Sequence, residues 1–100
     1  MKVTIQYFDG CPNWTVASAR LTDAVRIVGR TDVDVLLEAV ETPEAAERLR
    51  FAGSPTLLFD GHDPFATESA SFGLSCRRFA TEAGPDGAPS VAQLVAVLTP

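Results

Sequence analysis

Two strand patterns separated by a helix pattern occupy the amino-terminal part of the chain, and this arrangement limits the fold more than any other feature. Residues 2–8, KVTIQYF, alternate in the period-2 pattern of a strand, and residues 33–40, VDVLLEAV, predict a second strand. Between them, apolar residues recur at helical spacing from Pro12 to Val28, and Gly29 stands near the stop. A connection of about 24 residues that contains a helix joins parallel strands through a right-handed crossover. The sequence therefore predicts an α/β fold.

Helix-start signals mark two further helices. Thr42, Pro43 and Glu44 provide an N-cap, an N1 proline and an early acid for a short helix that ends near Leu49. Near the end of the sequence, Ser90 begins an S-x-x-Q capping box before an apolar periodic segment. The sequence therefore predicts a short second helix and an amphipathic terminal helix.

Two further strands are predicted between these helices. Residues 56–59, TLLF, favour a buried strand that ends at an Asp60-Gly61 turn. Residues 74–80, LSCRRFA, predict a strand that pairs antiparallel to it. Residues 82–89, EAGPDGAP, have the composition of turns.

Composition and charge exclude several classes of function. The chain has 100 residues, 46% of them hydrophobic, which fits one domain over residues 1–100 with one core. The net charge of -5 and the lack of a basic stripe argue against nucleic-acid binding. No apolar run approaches the roughly 20 residues that span a bilayer, and the amino terminus lacks the apolar core of a signal peptide. We therefore expect a cytoplasmic protein that binds neither nucleic acid nor membrane.

The stretch FDGCPNWT, residues 8–15, places a cysteine directly after a strand and at the start of a helix. Free N–H groups and the positive end of the helix dipole favour the thiolate form of a cysteine in this position. Cys11, between Gly10 and Pro12, is therefore the candidate catalytic residue, and its two neighbours are candidates for shaping the loop. The alternative is a buried cysteine that only packs, because cysteines are among the most buried residues.

Trp14 stands three positions after Cys11, where a dithiol motif has its second cysteine. Trp14 cannot resolve a mixed disulfide, so an ordinary CxxC cycle is excluded. Three uses of Cys11 stay open: a monothiol reaction resolved by glutathione or a partner thiol, resolution by the distant Cys76, and binding of a soft electrophile or soft metal without turnover. Trp14 either belongs to a substrate-docking surface beside Cys11 or is buried in the apolar stripe of the first helix.

Cys76, in the stretch GLSCRR, is the other cysteine, and its position decides among these uses. If its strand pairs simply with TLLF, Cys76 lies at the opposite end of the sheet from Cys11. If residues 62–66, HDPFA, form the returning strand, GLSC lies near Cys11. Arg77 and Arg78 favour a Cys76 thiolate, whereas the alternative is a packed strand cysteine. We expect no Cys11–Cys76 disulfide without local rearrangement, and a mixed disulfide of Cys11 with glutathione.

Several of these motifs together resemble the thioredoxin superfamily: a strand followed by Cys-Pro at a helix start, Gly-Ser-Pro-Thr before a buried strand, and a capped terminal helix. The sequence patterns give the element order β-α-β-α-β-β-α, and the resemblance implies that these elements form a thioredoxin-like fold. It also implies a four-stranded mixed sheet of order 2-1-3-4, in which the third strand is antiparallel to the first and lies inside the sheet. The stretches FDGCPNW, GSPTLLFDGHDPF and GLSCR are similar to small bacterial thioredoxin-like proteins that are often labelled alkylmercury lyase.

The resemblance also implies site residues. Cys11 matches the active-site cysteine of the family, and Pro55 matches the cis-proline that faces it. Ser54 would then pair its main chain with a bound peptide or thiol substrate. The alternative for Pro55 is an ordinary trans proline, because only about 5–6% of X-Pro bonds are cis. His62 follows a turn at the end away from Cys11, and no metal-ligand spacing occurs, so no metal is expected.

Two functional hypotheses follow. The first is a thioredoxin-like thiol protein, a monothiol-type thiol–disulfide oxidoreductase in which Cys11 acts on a small thiol, a disulfide or a soft electrophile held at Ser54 and Pro55. It binds no cofactor and uses glutathione or another low-molecular-weight thiol as co-substrate. The second is a redox-inactive binding module that holds a peptide or protein partner at the same edge. Both leave the oligomeric state open.

Overall fold

The computed structural model describes residues 1–67 and 72–100. The three helices and the first three strands lie where the sequence patterns predict them, and the differences begin after the third strand. The elements are β1 (Lys2–Tyr7), α1 (Asn13–Val28), β2 (Asp34–Ala39), α2 (Pro43–Arg48), β3 (Thr56–Phe59), β4 (Phe79–Thr81), β5 (Gly84–Asp86) and α3 (Val91–Leu98).

β1 lies at the centre of a three-stranded sheet with the order β2-β1-β3. β2 runs parallel to β1, with Lys2 opposite Asp34, as the helical connection through α1 predicts. β3 runs antiparallel to β1, with Gln6 opposite Thr56, which is also as predicted. The carboxyl end of β1 therefore lies beside the start of β3, and the loop that carries the candidate cysteine begins there.

The sheet ends at β3, so the prediction of a four-stranded thioredoxin-like sheet of order 2-1-3-4 is wrong. β4 and β5 form a separate antiparallel pair, and residues 74–78 form no strand. The backbone of Cys76 pairs with that of Ser54 in an isolated parallel bridge and belongs to no strand. The physical reason is next to it: Arg77 is buried and its side chain binds Asp63. Residues 75–77 run parallel to the chain at Ser54, just before β3, and do not extend antiparallel along β3 itself.

β3 is consequently an edge strand of the sheet and not an internal one. The resemblance assigned roles to Ser54 and Pro55 on the expectation of an internal third strand, so those roles are not carried over. The strand is nevertheless covered, because Thr56, Leu57 and Phe59 are buried. The functional site must therefore be built from its own contacts.

The β4–β5 hairpin replaces part of a segment that the sequence predicted as turns. Glycine and proline usually mark loops, and β5 consists of Gly84, Pro85 and Asp86. Arg20 of α1 fixes the end of the hairpin: its Nη1 donates to the Asp86 carboxylate at 3.1 Å and to the Ala88 carbonyl at 3.2 Å. These contacts tie the end of the hairpin to α1.

Two groups of buried apolar side chains hold the elements together. The smaller group consists of Val40, Ala46 and Phe51, and Phe8 and Leu74 pack against it. It lies beside the loop that follows β1. The main core joins α1 and α3 to one face of the sheet, and its buried residues are Val3, Ile5, Ala17, Leu21, Ala24, Leu57, Phe59, Phe79, Ala88, Leu94 and Leu98.

The helix ends follow their local signals. Gly29 caps α1 with φ at 71°, in the left-handed region that glycine adopts at low cost. The Thr42 side chain accepts a hydrogen bond from the backbone N–H of Ala45 at 3.1 Å at the start of α2. Ser90 and Gln93 form both hydrogen bonds of the capping box before α3. These predictions are confirmed.

Candidate functional site

A tight turn between β1 and α1 brings Cys11 to the start of the helix. The backbone N–H of Cys11 donates to the Phe8 carbonyl at 3.2 Å. A Cβ on Gly10 would overlap the Phe8 ring, so a larger residue at this position would have to displace that ring. The carbonyl of Pro12 accepts hydrogen bonds from the N–H of Thr15 at 3.1 Å and from its hydroxyl at 2.8 Å. Gly10 and Pro12 thus shape the turn on either side of the cysteine.

Cys11 is fully buried and stands just before α1, which is 16 residues long. The free N–H groups of the first helical turn and the helix dipole stabilise negative charge near this position. The Cys11 Sγ lies 3.7 Å from the carbonyl oxygen of Ser54, which can accept the thiol hydrogen when the cysteine is reduced and protonated. The Ser54 carbonyl can therefore accept a hydrogen bond from the Cys11 thiol, and the helix start can stabilise the Cys11 thiolate.

The Ser54-Pro55 step forms a buried wall next to Cys11. Its peptide bond is cis, as predicted, and both residues are buried. The Ser54 hydroxyl accepts a hydrogen bond from the backbone N–H of Phe8 at 3.3 Å. This contact ties the start of β3 to the loop that carries Cys11.

The main-chain groups of Ser54 are occupied by the chain itself. Its N–H donates to the Ser75 carbonyl at 2.7 Å, and its carbonyl accepts from the N–H of Arg77 at 3.0 Å. These two bonds make the parallel bridge that places Cys76 opposite Ser54. The edge that the resemblance assigned to a bound substrate is therefore filled by residues 75–77.

Cys76 forms a disulfide with Cys11, with a Cα–Cα distance of 5.7 Å across 65 positions of sequence. The expectation that no such bond forms is wrong, and Cys11 does not stand alone. Pairing with Ser54 brings GLSC to the Cys11 end of the sheet, which is the placement expected if the chain returns early through residues 62–66. Those residues make a single bridge at His62 and no strand.

The two cysteines of the bond differ in exposure. Cys11 has no solvent-exposed surface, whereas Cys76 is an exposed residue. A thiol arriving from solvent can therefore approach the disulfide from the Cys76 side. The bond joins the start of α1 to an exposed loop.

Arg77 has a role that the sequence pattern did not indicate. The charge beside Cys76 was expected to favour a thiolate, but the guanidinium is bound by the Asp63 carboxylate at 2.7 Å and by the Phe65 carbonyl at 2.6 Å. Its charge is therefore paired with Asp63. In the sequence, the one sign of this ion pair is an aspartate in the irregular segment after β3. No regular spacing connects that aspartate to Arg77.

Trp14 and His62 lie in positions that favour the structural alternatives. The Trp14 ring stacks on Tyr7 with centroids 4.4 Å apart, and it packs against the main core. His62 is exposed and follows Phe59, which lies opposite Val3 at the start of β1. His62 is therefore at the far end of the sheet from Cys11, as predicted.

A cleft of about 280 Å³ borders the Cys11 loop and is lined by Phe8, Gly10, Val40 and Leu74, among others. Asp9 and Glu41 also line the cleft, so its walls are partly acidic. Within residues 1–67 and 72–100, no three His, Cys, Asp or Glu side chains form a group that could hold a metal ion.

Comparisons with protein-family models, with curated proteins and with solved structures found no match for the chain. The functional argument therefore rests on the geometry of the disulfide site. In the part of the chain that the structure describes, no helix has the length and apolar character needed to cross a membrane.

Proposed function

We propose that the chain is a thiol–disulfide exchange protein that cycles between the Cys11–Cys76 disulfide and the corresponding dithiol. The observation that carries the proposal is the disulfide itself, which joins a buried cysteine at a helix start to a cysteine in an exposed segment. Reactive cysteines occupy partly accessible positions where the thiolate is stabilised, whereas structural cysteines are typically buried and inert. The proposed pair combines access at Cys76 with a stabilised leaving group at Cys11.

In the reducing direction, the thiolate of a low-molecular-weight thiol such as glutathione attacks the Sγ of Cys76. The bond between Cys11 and Cys76 breaks, a bond between Cys76 and the attacking sulfur forms, and Cys11 leaves as a thiolate. A second small thiolate then attacks the sulfur of the first small thiol in this mixed disulfide, and Cys76 leaves as a thiolate. Each cysteine takes up one proton, each small thiol has given up one, and the small disulfide departs.

The oxidising direction reverses these steps. The Cys76 thiolate attacks a small disulfide or a disulfide of a protein partner, and one half of that disulfide leaves as a thiolate. Cys11 then attacks the Sγ of Cys76 and expels the other half. Because the bridge to Ser54 holds Cys76 beside Cys11, the second step is intramolecular and gains from proximity.

Two further considerations support the proposal. The likeness to the thioredoxin superfamily contributes only the Cys-Pro at a helix start and the Ser-Pro step beside it, since the sheet differs. If the protein is cytoplasmic, as its sequence indicates, a disulfide there is usually transient and catalytic or redox-sensing. The competing hypothesis of a redox-inactive binding module is weakened because residues 75–77 occupy the main chain of Ser54 in the oxidised protein.

The test is equilibration of the folded protein in glutathione buffers of graded redox ratio, followed by alkylation of free thiols and mass spectrometry. We expect a reversible change of two thiols per chain and a linked peptide containing Cys11 and Cys76 at the oxidised end. Cys76→Ser is the control, because its single remaining cysteine can form a glutathione adduct but no intramolecular disulfide. A disulfide that opens only in denaturant would identify a structural staple and would reject the proposal.

A further inference from the structure

Arg77 follows Cys76 directly and is the one charged residue that is buried among those the structure describes, at 9% exposure. Arginine is almost never buried unless its charge is paired and its donors are bound. Burial of this charge beside a redox-active cysteine needs a physical explanation, which the contacts of the side chain provide.

The guanidinium is held by contacts that we call the Arg77 clamp. Nη1 donates to the Asp63 carboxylate at 2.7 Å, and Nη2 donates to the Phe65 carbonyl at 2.6 Å. Nη1 also lies 3.4 Å from the Thr56 hydroxyl, and the guanidinium carbon lies 4.7 Å from the centre of the Phe79 ring. The planar fork of arginine suits this set of acceptors, whereas the point charge of lysine does not.

The main chain at this position is also fixed. The N–H of Arg77 donates to the Ser54 carbonyl at 3.0 Å. On another side the segment passes close to Gly53, where a Cβ would lie 3.0 Å from the Cβ of Arg77 and 3.2 Å from the Ser75 carbonyl oxygen. Cys76 is therefore one residue away from a point that is anchored through both its backbone and its side chain.

We propose that Arg77 is a positioning residue for the disulfide, whose clamp keeps Cys76 opposite Cys11 when the bond is open. This inference rests on the proposed function, because positioning matters only if the disulfide opens and closes. Arg77 contacts no reacting atom and acts through the placement of Cys76.

The physical argument concerns what remains when the disulfide opens. The backbone bonds to Ser54 form an isolated bridge and not a ladder, so they restrain residues 75–77 only locally. The Arg77 clamp adds charge-assisted hydrogen bonds in a largely buried position. It therefore sets the effective concentration of Cys76 at Cys11, which decides how readily the disulfide forms again in competition with glutathione.

The test is the equilibrium constant for disulfide formation against glutathione in the wild type and three variants. Arg77→Met keeps an unbranched side chain but removes the donors, and we expect the constant to fall about tenfold, or about 30 mV for a two-electron couple. Arg77→Lys keeps the charge without the fork, so we expect a smaller fall. Arg78→Met changes the neighbouring exposed arginine and is the matched control, for which we expect no change.

A second readout separates positioning from general stabilisation. In the oxidised Arg77→Met protein the disulfide still holds residues 75–77 in place, so the free energy of unfolding falls by the full contribution of the clamp. In the reduced variant these residues can move and recover part of that loss. Denaturant unfolding should therefore show a larger loss of stability in the oxidised form. Equal losses in both forms indicate a merely structural role and overturn the inference.

The outcomes also separate this inference from the proposed function. If the wild type exchanges with glutathione and Arg77→Met has the same equilibrium constant, Arg77 is not a positioning residue. If the wild type itself does not exchange, the proposed function fails. If Arg77→Met does not fold, the same equilibrium constant is measured for Asp63→Asn, which removes the charge of the clamp partner and preserves its shape. An unchanged constant in Asp63→Asn overturns the inference.

Discussion

The two ends of the central sheet are held together by different kinds of contact. At the carboxyl end of β1, the disulfide and the Arg77 clamp combine a covalent bond with a largely buried ion pair. At the amino end, the Asp60 carboxylate accepts a hydrogen bond from the backbone N–H of Lys2 at 2.8 Å, and Arg30 binds Asp32 through two hydrogen bonds of 2.8 and 2.6 Å. The contacts at the amino end are exposed to solvent.

Because of this difference, the two ends of the sheet respond to different solution conditions. At the carboxyl end, the redox state of the cysteines decides whether the disulfide is present. Exposed charges at the amino end are screened by salt and are lost in acid. The main core between them consists of apolar side chains and offers no titrating group to connect the two. We therefore expect redox changes to leave the amino end intact and charge changes there to leave the redox equilibrium intact.

Removal of the cross-link is expected to have the largest effect. Cys76→Ser should lower the free energy of unfolding by about 4 kcal/mol, because the unfolded chain loses a constraint across 65 positions. Cys11→Ser removes the same bond and should give a similar loss. The measurement is urea unfolding without reductant. Addition of reductant should destabilise the wild type but neither variant, and variants as stable as the oxidised wild type would contradict the disulfide in solution.

A smaller effect is expected at individual amides when the protein is reduced. The N–H groups of Ser54 and Arg77 form the bridge beside the disulfide. Their hydrogen exchange should speed up at least about tenfold on reduction, which corresponds to about 1.4 kcal/mol of local stability. Amides of β1 and β2 that exchange through global unfolding should speed up by the loss of global stability, whereas the exposed N–H of Lys2 at the amino end should exchange by local opening and keep its rate. Faster exchange at Lys2 on reduction would show that the two ends are coupled and would break the comparison.

The elements at both ends were predicted from sequence as far as short-range signals determine them. The ends of α1, α2 and α3 depend on Gly29, Thr42 and Ser90, whose hydrogen bonds and backbone angles involve residues within one helical turn. The parallel pairing of β1 with β2 followed from the length and helical character of the connection. These features are determined by residues close in sequence, so they could be predicted without knowledge of distant contacts, and the structure confirms them.

The candidate site was only half predictable for the opposite reason. Cys11 and the cis Ser54-Pro55 bond belong to recognisable short motifs. Cys76 is instead next to an ion pair between Arg77 and Asp63, which are 14 positions apart, and pairs with Ser54, which precedes β3. The stretch LSCRRFA alone has strand-like composition, and nothing in it indicates that the arginine after the cysteine is buried.

Asp60→Ala probes the amino end alone. The variant loses the hydrogen bond to the backbone N–H of Lys2, and we expect the free energy of unfolding to fall by about 1 kcal/mol. Asp60→Asn is the matched variant, because asparagine keeps an oxygen acceptor and tolerates the positive φ of 52° at this position. The glutathione equilibrium constant should be that of the wild type in both. A change of that constant in Asp60→Ala would mean that the amino end influences the disulfide.

The smallest expected effect concerns Asp32 in acid. Its hydrogen bonds with Arg30 lower the pKa of Asp32 from 3.8 to about 2. The folded protein thus favours the carboxylate, so the contribution to stability is complete above about pH 4 and is lost as the pH falls toward about 2. Asp32→Asn should flatten the stability profile over this interval, and the change should be small because the group is exposed. Thermal unfolding of both proteins between these pH values is the measurement. The same flattening should occur with and without reductant, whereas a difference between the redox states would show that acid at the amino end is felt at the disulfide.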